Sequence, residues 1–177
     1  MRYLLLLRGV NVGGRNKVDM PELKRKLENL GFPEAETYLN SGNILLNADC
    51  PKDEAVPRVR DLLQASYDFD IPFALLSTDM LKTDLKLLPR WWTEPFPRRD
   101  ALFPVEDTDF DAMKADIASM PLGDEIIHFG KHVILWGKRD EKTYGRTAYH
   151  RLLIKKPYYR ELTIRNGNTL DALVARL

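Results

Sequence analysis

The chain opens on an apolar run, residues 3–8 (YLLLLR), that stops at Arg8. A short run of this kind, bounded by glycine, predicts a strand. From Met20 the period changes. Met20, Leu23, Leu27 and Leu30 recur every three to four residues, while Lys24, Arg25 and Lys26 fall mostly on the other side. That spacing predicts an amphipathic helix. Asp19 and Glu22 suit a capping box at its start, and Gly31 suits its end. Residues 38–39 and 44–46 flank Asn40, Ser41, Gly42 and Asn43, which can make a bulge, a kink or a tight turn. Val56, Val59, Leu62 and Leu63 mark a second helix, and residues 71–77 a strand. Thr78 then caps a short helix with Leu81, Leu85 and Leu88 inward.

Residues 89–100 (PRWWTEPFPRRD) break this alternation with three prolines. The expected organisation is an N-terminal half over residues 1–89, a proline- and tryptophan-rich linker over 90–100, and a C-terminal half over 101–177. In the second half, residues 101–105 read as a strand, and Phe110, Met113 and Ile117 as a helix. Residues 125–129 and 132–136 read as a hairpin closed by Gly130 and Lys131. Residues 144–153 are expected to be helical and 161–165 extended. Asn166 and Gly167 turn the chain into a last helix, with Leu170, Leu173, Val174 and Leu177 facing the core. The pattern predicts an α+β fold of two ferredoxin-like, split βαβ halves with mainly antiparallel sheets. No internal sequence repeat is visible, so duplication is a reading of topology.

Composition narrows the class more than the function. With 177 residues, 44% hydrophobic and 30% charged, the chain can bury a sizeable core. No apolar run approaches the roughly 20 residues of a membrane span. The opening segment is too short for a signal-peptide core. Cys50 is the single cysteine, which excludes an intrachain disulfide and points to a reducing compartment, the cytoplasm. A net charge of +1 argues against polyanion binding by bulk charge. Its distribution is uneven: residues 106–125 hold seven acids and one base, residues 138–165 nine bases and three acids. Such asymmetry can steer a charged ligand, or it can be a solvated surface whose patches balance.

The loop between the first strand and the first helix carries the best candidate chemistry. It contains Arg8, Gly9, Asn11, Gly13, Gly14, Arg15, Asn16 and Lys17. A strand, a glycine-rich loop and a helix N-terminus together point backbone N–H groups at an anion. Arg15 can grip a phosphate or carboxylate with two parallel hydrogen bonds, and Lys17 can act as a point charge. Residues 9–14 imitate the glycine spacing of a phosphate loop. Arg15 and Asn16, however, stand where lysine and a magnesium-binding hydroxyl are required, so a P-loop NTPase is excluded. The competing reading is a loop whose glycines only satisfy turns, with Arg15 paired to a neighbouring acid.

Other candidates are weaker. Asp107, Asp109 and Asp111 imitate a calcium loop, but Ala112 and Ala118 replace its glycine and its closing glutamate. A helix start rich in acids explains them better. In a two-residue hairpin turn His128 and His132 point apart, His150 stands on a basic helix, and Cys50 has no histidine nearby in sequence. No metal and no cofactor is implied. Arg151, Lys155, Lys156, Tyr158 and Arg160 interleave bases with aromatics, a combination that suits nucleic acid. The same residues also suit tyrosines packed on a core with snorkelling bases.

The segments LLLRGVNVGGRNKVDMPEL, TYLNSGN and TIRNGNT resemble the bacterial family called domain of unknown function 1697. Their spacing extends the resemblance over essentially the whole chain. It implies a duplicated ferredoxin-like α+β fold and brings no activity, cofactor or catalytic residue with it. The leading expectation is a cofactor-free cytoplasmic protein that binds a phosphorylated small molecule or nucleic acid through the 9–17 loop. One alternative is a small cofactor-free enzyme on an anionic substrate. The other is an interaction or dimerisation module docking through Trp91, Trp92 and Phe96.

Overall fold

The computed structural model describes residues 1–177, the side chain of Glu141 excepted. Two compact units divide the chain, residues 1–81 with Leu177 and residues 82–176. The first unit contains β1 (Arg2–Leu7), α1 (Met20–Asn29), β2 (Glu36–Tyr38), β3 (Asn43–Asn47), α2 (Lys52–Ser66) and β4 (Phe73–Ser77). Its strands lie in the order β2-β3-β1-β4, every neighbouring pair antiparallel. This is the ferredoxin-like arrangement expected from the sequence.

Alternate residues of the sheet, Tyr3, Leu5, Leu7, Ile44, Leu46 and Leu75, pack on Leu23 and Leu27 of α1 and on Val59 and Leu63 of α2. Leu4, Leu6, Leu45 and Leu76 point to the other face and are also buried. The first strand is an unbroken apolar run because neither of its faces meets water. Asp19 caps α1 by accepting the Glu22 N–H at 2.8 Å. The Glu22 carboxylate turns instead to Lys26, 3.0 Å away, so half of the capping box forms. Residues 39–42 close the β2–β3 hairpin, and Gly42 has a φ of 74°. A Cβ there would stand 2.6 Å from Leu7 Cβ, so glycine is required twice over.

Helix α3 (Thr78–Leu85) follows β4. Its cap is Ser77, whose hydroxyl accepts the Met80 N–H, and not Thr78, whose hydroxyl donates to the Arg2 carbonyl.

The second unit contains α4 (Arg90–Thr93), β5 (Arg98–Pro104), α5 (Phe110–Ala118), β6 (Glu125–Phe129), β7 (Ile134–Lys138), α6 (Ala148–Arg151), β8 (Leu162–Asn166) and α7 (Gly167–Val174). Its antiparallel sheet has the order β6-β7-β5-β8, the same topology as the first. Residues 90–100, expected as a linker, are built into this unit. Arg98 and Arg99 pair with Lys138 and Gly137 across the sheet. Trp91 packs against Phe96 in a tilted pair with ring centroids 5.2 Å apart, over Gly137, where a Cβ would meet Trp91 at 2.7 Å. Trp91 and Trp92 are buried, which removes the exposed aromatic surface a docking segment would need.

Two other expectations change. Residues 144–153 are not one helix. Glu141–Arg146, Leu153–Lys155 and Pro157–Glu161 are 3-10 turns, and α6 spans a single α turn. The hairpin loop holds four residues rather than two. Phe129 pairs with Ile134 and His128 with Leu135. The cause is Asp84, whose buried carboxylate accepts the N–H groups of Lys131 (2.5 Å) and His132 (3.0 Å). Among the described residues no helix is long and apolar enough to cross a membrane.

Candidate functional site

The 9–17 loop is a small hairpin of its own. Val12 and Arg15 form a β-bridge around Gly13 and Gly14, closed by the Arg15 N–H donating to the Val12 carbonyl. Both central glycines have positive φ, 58° and 77°, as a type I′ turn requires. Asn11, itself at φ 56°, ties this hairpin down. Its amide donates to the carbonyls of Val18 (2.9 Å) and Asn40 (2.8 Å), and its Oδ1 accepts the Val18 N–H. Asn16 donates to the Gly9 carbonyl.

The Asn11–Asn40 bond links the loop to the β2–β3 turn and shapes a shallow cleft of about 550 Å³. Asn11, Gly14 and Lys17 line it, together with Asp19, Met20 and Asn40. Of the residues named from sequence, Arg8, Gly9, Gly13, Arg15 and Asn16 lie outside this lining. Arg8 is half-buried, and its backbone N–H donates to the Pro72 carbonyl. Asn40 is the contributor that sequence reasoning missed. The signal was the NSGN turn, whose proximity to Asn11 depends on β1 and β3 pairing.

The side chains of Lys17 and Arg15 are exposed and have no hydrogen-bond or ion-pair partner among the described residues. The rival reading of Arg15 as half of an internal ion pair therefore finds no support in the geometry. The helix end contributes less than its position suggests. Pro21 has no N–H, and the Glu22 and Leu23 N–H groups are taken by the Asp19 side chain and carbonyl. A capped N-terminus has few donors left for a ligand, so the positive charge in the cleft lining comes from Lys17, with Arg15 outside the lining on the adjoining turn.

The basic C-terminal segment is partly consumed by the fold. Lys156 Nζ lies 2.8 Å from one Asp116 carboxylate oxygen, and the Tyr158 hydroxyl donates to the same carboxylate at 2.5 Å. These bonds to the ionised form hold Asp116 below the usual carboxylate range, and burial pushes the Tyr158 phenol up. Arg151, Lys155 and Arg160 stay exposed. Tyr149 is a core residue, edge-on to Trp136 at 5.4 Å.

The acidic run behaves as a helix start. Asp109 caps α5 by accepting the Ala112 N–H, and Asp111 pairs with Lys114. His132 Nδ1 lies 2.8 Å from Asp84 Oδ2. His150 packs against the Tyr144 ring. Among the described residues no three His, Cys, Asp or Glu side chains are grouped to hold a metal.

The chain is similar to known proteins in sequence and in fold. The family described as "Protein of unknown function (DUF1697)" matches residues 1–135, so the TIRNGNT segment lies beyond the matched range. No functionally curated protein matches the chain. A solved structure of the conserved bacterial protein SP0830 from Streptococcus pneumoniae is similar over 98% of this chain and 97% of that one, with 44% identity and a TM-score of 0.94. The glycine-turned first loop, the two ferredoxin-like sheets and the matched range agree, and the chain belongs to the DUF1697 family of proteins of unknown function.

Proposed function

We propose that this protein binds a phosphorylated small molecule or nucleic acid at the cleft beneath the 9–17 loop. One observation carries the reading: two unpaired cations, Lys17 in the cleft and Arg15 on the adjoining turn, are presented by a loop that Asn11 fixes from both sides. A pre-ordered loop loses little entropy on binding, and an unpaired guanidinium matches phosphate oxygens in a fork. Binding is favoured over catalysis because Asp19 is the acid in the lining and its carboxylate already holds the Glu22 N–H. The covered sheet faces argue against base stacking on an open sheet in the manner of RNA-recognition modules. The lone cysteine supports a reducing compartment, the cytoplasm.

A thermal-shift panel of inorganic phosphate, pyrophosphate, nucleotides and short single-stranded RNA tests the reading. At least one should raise the melting temperature of the wild type, and Lys17→Ala or Arg15→Ala should abolish the rise. A wild type indifferent to every ligand at about 100 times the micromolar affinities ordinary for metabolites would reject it.

A further inference from the structure

A second cleft of about 310 Å³ lies wholly within the second unit. Pro121, Leu122, Ala148 and Leu152 give it apolar walls, and its charged lining residues are Arg146 and Arg151. Both arginines are exposed, and neither guanidinium has a hydrogen-bond or ion-pair partner among the described residues.

The described acids near this cleft, Asp124, Glu125 and Asp140, are committed elsewhere. Asp124 pairs with the buried Lys138. Glu125 is buried and accepts the Trp136 Nε1–H at 2.8 Å, the Ala148 N–H at 2.7 Å and the Tyr149 N–H at 3.3 Å. Asp140 accepts the Lys142 N–H and the Thr143 hydroxyl. The bonds from Glu125 also fix the first residues of α6, and through them the place of Arg151. Among the described residues two guanidinium groups are thus left uncompensated beside an apolar wall, and the described carboxylates nearby are held by other partners. An adjoining cleft that shares Arg146 and Gly123 is lined by Asp124 and Asp140 and is mixed in charge, so the excess of positive charge belongs to the first.

We propose that this cleft binds an organic oxyanion with a short apolar body, such as an acyl carboxylate or an aryl phosphate. Arginine forks match carboxylate and phosphate oxygens alike. The apolar wall adds affinity for a body that leaves water, and the volume sits at the small end of ligand pockets. The site shares no residue with the 9–17 loop, so it stands or falls independently of the function proposed there.

Calorimetric titration of the full chain carrying Lys17→Ala, which takes phosphate binding at the 9–17 loop out of the signal, decides it, with hexanoate, phenyl phosphate, inorganic phosphate and hexanol as probes. Hexanoate or phenyl phosphate should bind saturably, about tenfold more tightly than inorganic phosphate or hexanol. Binding of hexanoate alone names a carboxylate ligand, and of phenyl phosphate alone a phosphate ester. Arg146→Ala and Arg151→Ala should each weaken binding about tenfold without moving the melting temperature. Lys155→Ala, outside the cleft, should leave binding unchanged. The proposal is overturned if neither organic anion binds, if inorganic phosphate or hexanol binds as well, or if Lys155→Ala weakens binding as much as the arginine variants.

Discussion

The two units share one strand order and hold it in different ways. In the first, α2 is a continuous helix of 15 residues, and the buried side chains between it and the sheet are apolar. Asn43 is the buried polar side chain of that unit among the described residues. In the second unit the place of α2 is taken by short 3-10 and α turns over residues 141–161. There Asp84, Asp100, Glu125, Lys138, Thr147, Thr163, Arg165 and Thr169 are buried. Broken helices leave backbone donors without helical partners. Glu125 supplies acceptors for α6, and Asp84 does the same for the hairpin loop. The same topology can therefore be secured by non-directional apolar burial or by buried carboxylates with several donors each. The second solution tolerates less, because removing one acceptor strands all of its donors.

The sharpest way to break this comparison is to delete the acceptors. Glu125→Ala should destabilise the protein by about 3–5 kcal/mol, because three buried donors lose their partner. Asn43→Ala, which removes the amide bonds to Tyr38 and Ser41 in the first unit, should cost about 1–2 kcal/mol. Urea unfolding of both variants checks the difference, and equal losses would remove the contrast.

Asp84→Ala should cost about 2–3 kcal/mol. It should also raise hydrogen exchange at Lys131 and His132 selectively while protection in β1 stays unchanged. Exchange that rises equally in both units would mean the carboxylate acts on global stability alone.

A milder perturbation is alkali. Burial pushes the Tyr144 and Tyr149 phenols well above their ordinary value of 10.0. Their folded values exceed the unfolded one, so this contribution to stability is complete below pH 10 and is lost as pH rises past it. Stability in the alkaline limb should fall with a slope that Tyr144→Phe reduces, as followed by unfolding across pH. An unchanged slope in that variant would show that Tyr144 does not titrate out of its bond to Asp100.

Legibility followed the same divide. The first unit was readable because its signals are local: the Met20–Leu23–Leu27 spacing, the Asp19 cap, the Gly31 stop and the apolar first strand. Residues 90–100 read as a linker because prolines and exposed-looking arginines dominate the string. The seat that buries Trp91 is Gly137, on a strand formed far along the chain. The hairpin register was missed because the loop is held by Asp84, 47 and 48 positions from the amides it accepts. Residues 144–153 looked helical because a buried carboxylate on β6 leaves no mark on periodicity. At the candidate site, the glycine and asparagine loop was visible in the string. The bond from Asn11 to Asn40 that makes it a cleft needed the sheet.

The smallest structural change tests the central claim most directly. Arg15 and Lys17 are exposed and unpaired, so alanine at either position should change stability by less than about 0.5 kcal/mol. A heteronuclear NMR titration of the wild type with pyrophosphate should shift the amides of Gly13, Gly14, Lys17 and Asn40 in a saturable way, and Lys17→Ala should erase those shifts. Saturable shifts that avoid this loop, or that survive unchanged in Lys17→Ala, would contradict an anion site there.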